Sequence, residues 1–172
     1  MNGASRGRPT FGPETRAASG PWPFAIVAVV SFGAVAAALV TQHGYGMQPC
    51  PWCVLQRLIF VGIGAVALLG LAWRGPTGRA VVAAIALLLA LTGFTAAMWH
   101  YFAAAKSASC NLTLADRIMN WTGLNAMLPG VFEARASCAD AAVSLFGVPY
   151  PFWSGGLFAV IAIIMIALVR RR

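Results

Sequence analysis

The sequence predicts an all-α fold, an integral membrane four-helix bundle with one long outer link that carries short helices. Three observations lead there. Only 9% of the 172 residues are charged and 60% are hydrophobic, whereas about a quarter of an ordinary soluble domain is charged. A chain so poor in ionised groups has little with which to cover a water-facing surface. The hydrophobic residues gather into four long runs, and the basic residues lie between and beyond those runs, Arg57 excepted.

Taken in order, residues 1–20 are rich in Gly, Pro, Ser and Arg, have little to bury and are expected to form a disordered cytoplasmic tail. Residues 21–172 form one transmembrane domain, with spans predicted at about 22–40, 54–73, 80–105 and 152–169. A bilayer core of about 30 Å takes about 20 helical residues at about 1.5 Å each. The first and last runs are slightly short, but Trp22 and Trp153 border them at the level where aromatic rings meet lipid headgroups. Arginines ahead of an apolar run also suit a secretory signal; the length of the run and the three spans behind it favour a retained helix.

Orientation follows from the basic residues. Arg6, Arg8, Arg16, Arg74, Arg79, Arg170, Arg171 and Arg172 sit at the termini and in the second link, with Glu14 as their sole acidic neighbour. The link 41–53 carries no charge, and in the link 106–151 Lys106, Arg117 and Arg135 are balanced by Asp116, Glu133 and Asp140. The positive-inside rule therefore places both termini in the cytoplasm and all four cysteines, Cys50, Cys53, Cys110 and Cys138, on the outer, oxidising side. The net charge of +8 comes in short flanking clusters with no basic face. That excludes nucleic acid as a partner and leaves the bilayer.

The link 106–151 is mixed in composition. Thr113 with Asp116 fits the cap-then-acid pattern that opens a helix, and Leu114, Ile118 and Trp121 then share one face, as in a helix lying on a membrane surface. Ser137 with Asp140 repeats the pattern, predicting a second short helix with Cys138 in its first turn and a stop at Gly147 and Pro149.

Four cysteines on an oxidising face have three readings. Zinc ligation usually joins two close pairs or adds histidines, and here Cys110 and Cys138 are 28 positions apart, so no metal is expected. A structural bridge between Cys110 and Cys138 suits the loop, at roughly 3–4 kcal/mol on the chain-entropy model. The ring closed by Cys50 and Cys53 is too short to restrain an unfolded chain. Cys-x-x-Cys is instead the spacing of a reversible dithiol, in which one thiolate attacks and its neighbour resolves.

The surroundings suit that chemistry. Pro49 and Pro51 bracket Cys50 and are expected to hold the chain out of helix until about Cys53, which places Cys53 where a helix N-terminus favours a thiolate. Arg57 lies one turn deeper on the same face. A cation at that depth is costly, and beside a redox pair it suits negative charge on a thiolate or on a reduced, membrane-dissolved acceptor; the plainer reading is an interfacial anchor. Haem attachment by Cys-x-x-Cys-His is absent, as is the glycine fingerprint of nicotinamide or flavin sites. A lipid-soluble quinone fits as the electron acceptor.

These residues resemble the DsbB family, bacterial inner-membrane disulfide bond formation proteins that reoxidise periplasmic DsbA with quinone. "PCPWCVLQR" is similar to the family's Cys-x-x-Cys with Arg four residues on, and "LPGVFEARASCA" and "FGVPYPFWSGGLF" are similar to its second-cysteine segment and its entry to the last helix. The resemblance covers residues 22–172. It implies that Cys53 faces ubiquinone or menaquinone and that Cys50 is its exchange partner. It further implies that Arg57 supports quinone reduction, that Cys110 is attacked by a DsbA-like thiolate, and that Cys138 relays the disulfide to Cys50. His100 resembles a family histidine near the quinone, while His43 has no strong claim. The departures are the arginine-bearing tail and the Pro51 and Trp52 insert, which bear on redox poise. Rival readings are a thiol oxidoreductase like vitamin K epoxide reductase, whose Cys-x-x-Cys usually comes late in the chain, and a non-enzymatic metal-binding membrane module.

Overall fold

The computed structural model of the chain describes residues 20–106 and 113–170. The expected tail, save Gly20, and the predicted site residue Cys110 lie outside the described residues. The chain runs through α1 (Trp22–Tyr45), α2 (Pro51–Ala72) and α3 (Pro76–Phe102), then a 3-10 turn at Ala104–Lys106. Three short helices follow, α4 (Leu114–Thr122), α5 (Leu124–Met127) and α6 (Pro129–Phe132), then a hairpin of β1 (Ser144–Leu145) and β2 (Val148–Pro149), and finally α7 (Tyr150–Arg170). The four long helices are each long and apolar enough to cross a membrane.

Proline sets where helices begin. Pro51, Pro76 and Pro129 occupy the first helical position, where the missing N–H is no loss and the ring presets φ. This corrects the expectation that the prolines delay the second helix to Cys53: α2 begins at Pro51, and Cys50 is its N-cap. α1 also runs five residues past the predicted end of its span, to Tyr45, where Gly46 at φ 68° closes it. The apolar run stops near Val40, but the helix does not, because its buried face continues through Val35, Ala38 and Gln42.

α1 packs along α2, α2 along α3 and α3 along α7, while α1 and α7 touch only sparsely. Helices in lipid gain little from hydrophobic burial against each other, so close packing must hold them. α3 supplies it with small residues: Ala83, Ala86, Ala90, Gly93 and Ala97 recur on its buried face. Gly93 lies directly beneath the Phe158 ring, where a Cβ would collide with it, and that ring stacks on Phe60 of α2 at 3.9 Å and 8°. One aromatic pair thus ties three helices.

In the link between α3 and α7 the Thr113 signal forms α4 with a full capping box: Thr113 Oγ1 accepts from the Asp116 N–H, and the Asp116 carboxylate accepts from the Thr113 N–H at 2.8 Å. α4 buries Ala115 and Met119 against α2 and leaves Leu114 and Trp121 exposed. The Ser137 signal yields less than predicted. Ser137 Oγ accepts from the Asp140 N–H and the Ala141 N–H reaches the Ser137 carbonyl, but the chain makes only this one turn. Ala141 is then buried and the chain leaves as the hairpin, reversed by Phe146 and Gly147 at φ 53° and 79°. Two positive φ values are what a tight two-residue hairpin turn demands.

Candidate functional site

Cys50, the N-cap of α2, organises the site. Its side chain accepts the Cys53 N–H at 3.3 Å, satisfying one of the helix's orphan amides. That cap folds Cys53 back over it, with the two sulfurs 2.8 Å apart. His100, near the end of α3, brings Nε2 to 3.4 Å from Cys50 Sγ. The Cys138 thiol also interacts with Cys50 and with the Trp52 N–H. Cys50, Cys53 and Cys138 are free thiols in this structure. Cys50 therefore meets all three groups.

What presses Cys138 inward is the backbone. The Arg135 and Ala136 N–H groups both donate to the Pro49 carbonyl, at 2.9 and 3.3 Å, which clips the segment before Cys138 to the residue before Cys50. Cys138 is itself 8% exposed. The interaction sorts the protons. The hydrogen bond to Cys138, then that to Cys53, then burial push the Cys50 thiol up, so that it keeps its proton. Cys138 moves the opposite way, held below the ordinary thiol range by the hydrogen bond from Cys50 and, against burial, by the Trp52 N–H.

Arg57 lies four residues after Cys53 and is 6% exposed. Its Nη1 donates to Gln42 Oε1 and to the Val131 carbonyl at 3.1 Å, and Nη2 donates to the Ala38 carbonyl at 3.2 Å. Every one of these acceptors lies inside the protein, so the side chain does not snorkel and the anchor reading does not describe it. Cys53, Gln56, Arg57 and Phe60 form one wall of a cavity of about 240 Å³. α1 supplies Ala34, Ala37, Ala38 and Thr41, and α7 supplies Tyr150, Pro151, Trp153, Ser154 and Leu157. Because α1 and α7 touch so little, the cavity sits at the seam between them. His100 lines it too, while its Nδ1 has no hydrogen-bond partner among the described residues.

The structure thus gathers Cys50, Cys53, Arg57, His100 and Cys138 at one end of the bundle. Three ligand atoms, from Cys50, Cys53 and His100, lie within 4.8 Å of one another. Two thiolates on one zinc at about 2.3 Å each stand roughly 3.8 Å apart in a tetrahedral site, wider than the 2.8 Å found here. The spacing suits exchange better than ligation. Sequence reasoning missed Gln42 and Gln56. Gln56 accepts from Ser154 Oγ across the cavity wall, and Gln42 holds Arg57. The available signal was a stripe of Ser31, Val35, Ala38 and Gln42 at helical spacing, in which a polar residue prolongs a buried face.

Comparison with known proteins agrees over most of the chain. Residues 21–168 match the family described as disulfide bond formation protein DsbB. Among relatives named disulfide bond formation protein B, that of Ralstonia nicotianae is 37% identical, the match covering 86% of this chain and 93% of the relative. That of Cupriavidus necator is 34% identical over 86% and 92%, and that of Herminiimonas arsenicoxydans 33% over 81% and 89%.

Proposed function

The chain belongs to the DsbB family of disulfide bond formation proteins, and from that premise we propose which of its residues carry the electrons and in what order. As a family member it is an inner-membrane, quinone-dependent oxidoreductase that generates disulfides and reoxidises DsbA. The observation that carries the residue assignment is the position of Cys50, in contact on one side with Cys138 from the outer link and on the other with Cys53, which opens on the cavity at the α1–α7 seam.

A reduced DsbA-like protein attacks the disulfide between Cys110 and Cys138 at Cys110, and Cys138 leaves as a thiolate. While Cys50 is held in its disulfide it has no S–H to donate, so the group that favours the leaving Cys138 thiolate at this step is the Trp52 N–H. Cys138 then attacks Cys50 of the Cys50–Cys53 disulfide, and Cys53 is released as a thiolate on the cavity wall, one helical turn from Arg57. Arg57 offsets the negative charge there. The mixed disulfide between the partner and Cys110 is resolved by the partner's second thiol, which oxidises the partner. Attack of Cys110 on the Cys138–Cys50 bridge restores the loop disulfide and leaves Cys50 and Cys53 as the dithiol. Two electrons have then moved from the partner's dithiol to Cys50 and Cys53.

The cavity fits a quinone head. Its wall is mostly apolar, with Cys53, Arg57 and His100 and the amide or hydroxyl groups of Thr41, Gln48, Gln56, Tyr150 and Ser154 set into it, and it lies at the seam between α1 and α7. Bound there, ubiquinone or menaquinone supplies the two-electron acceptor that returns Cys50 and Cys53 to a disulfide. With both termini cytoplasmic, as the arginine distribution favours, Cys138 faces the periplasm and its DsbA-like partner. Residues 21–172 act as a single domain in this scheme. His100, at Cys50 Sγ and on the cavity wall, bridges the thiol pair and the quinone.

Purified protein with ubiquinone is expected to oxidise a reduced DsbA-like partner catalytically. Cys53→Ser abolishes quinone reduction, a loss on the order of a thousandfold or more for a group that acts covalently. Full quinone reduction by Cys53→Ser sinks the electron path.

A further inference from the structure

We infer that Gln42 is the positioning residue for Arg57, a neutral acceptor that fixes the guanidinium while leaving its positive charge unspent for the redox centre. The inference rests on the role proposed for Arg57 and names what makes that role possible. A buried arginine normally pairs with a carboxylate, because removing a bare cation from water is costly. Arg57, 6% exposed, does not. Its hydrogen bonds go to Gln42 Oε1, the Ala38 carbonyl and the Val131 carbonyl, all uncharged. Asp116, Glu133 and Asp140 are the acids among the described residues: Asp116 caps α4, Asp140 bonds Ser137, and Glu133 pairs with Arg135 at the surface.

Of the three acceptors, Gln42 is the only side chain and therefore the only one the sequence can change. Its amide is oriented without ambiguity, since Arg57 can only donate and so must face Oε1. The other end, Nε2, reaches the Gly130 carbonyl at 3.4 Å. At 3% exposure neither end is served by bulk water. Glutamate would fit the same space and hold Arg57 more strongly, but it would cancel the charge that has to face the Cys53 thiolate and the electron-accepting ring. A neutral amide gives placement without neutralisation.

The two functions separate experimentally in the full chain in detergent. Three quantities are measured: the affinity for a short-chain ubiquinone, read by quenching of tryptophan fluorescence; steady-state kcat and KM for that quinone; and single-turnover disulfide transfer to a reduced DsbA-like partner without quinone. Gln42→Glu keeps Arg57 in place, so quinone affinity stays within about twofold while kcat falls about tenfold. Gln42→Leu frees the guanidinium, weakening quinone affinity and lowering kcat/KM about tenfold or more. Both transfer the disulfide to partner at the wild-type rate within about twofold. In an Arg57→Met background, Gln42→Leu has no further effect, whereas a purely structural role would add its cost there as well. Wild-type kcat in Gln42→Glu overturns the inference, as does a full effect of Gln42→Leu without Arg57. If Gln42→Leu does not fold, Gln42→Glu still decides. If Arg57→Met itself spares quinone kinetics, the role of Arg57 fails and this inference with it.

Discussion

The two halves of the redox centre are built on opposite plans. Cys53 and Arg57 stand on consecutive turns of α2, inside a bundle held by Gly93, Phe158 and Phe60. Their relative position follows from helix geometry, and Arg57 is further tied by hydrogen bonds from three places in the chain. Cys138 stands on a single turn between a four-residue helix and a two-residue strand, clipped to the bundle by two bonds onto the Pro49 carbonyl. The difference matches the tasks proposed for them. An electron acceptor dissolved in lipid can diffuse to a rigid wall, whereas a thiol proposed to deal first with another protein and then with Cys50 needs a segment whose attachments are few and separable. Rigidity sits where the partner is small, and weak attachment where it is large.

That contrast can be broken at either side. The largest effect is expected from Cys138→Ala, which removes the link between the halves. Turnover with a DsbA-like protein drops by on the order of a thousandfold, while a small dithiol such as dithiothreitol, which needs no relay through Cys138 and can enter at the partly exposed Cys53, still reduces quinone through Cys50 and Cys53. Equal loss with both reductants would place Cys138 inside the quinone half and end the distinction. Arg57→Met comes next. It leaves partner exchange unchanged within about twofold and lowers kcat/KM for quinone about a hundredfold, as fits one charge-assisted contact made in a water-poor site. Unchanged quinone kinetics would return Arg57 to a structural part.

The smallest effect is one of pH. Cys138 is held below the ordinary thiol value of about 8.5 by Cys50 and, against burial, by the Trp52 N–H. Its thiolate therefore persists as pH falls below that value and is lost only as pH passes the lowered one. Alkylation of Cys138 in the reduced protein, followed by mass spectrometry across pH, should show a midpoint below that of an ordinary thiol. Cys50→Ala removes the largest cause and moves the midpoint up. A midpoint indifferent to Cys50 would mean that the two thiols do not meet in solution.

The sequence by itself determined the solvent, the number of spans and the chemistry. Composition reports whether a surface can face water, so four apolar helices were readable from hydropathy alone. Cys-x-x-Cys with Arg57 one turn on was readable because neighbours within a helix turn meet by local geometry. The capping box at Thr113 was readable for the same reason. Local signals failed where the surroundings outvoted them. Ser137 and Asp140 carry a helix-opening pattern, yet burial of Ala141 and the turn at Phe146 and Gly147 stop the chain after one turn. Only the tertiary structure decided that Cys138 rests on Cys50 and that Arg57 is satisfied by neutral groups. It decided too that Gln42, on a helix expected to have ended, faces inward. These are contacts between residues as far apart as Arg57 and Val131, 74 positions along the chain. No period or spacing encodes such a contact; it exists only once α1, α2 and the link between α3 and α7 have packed, and packing is what makes an unpaired charge at that place tolerable.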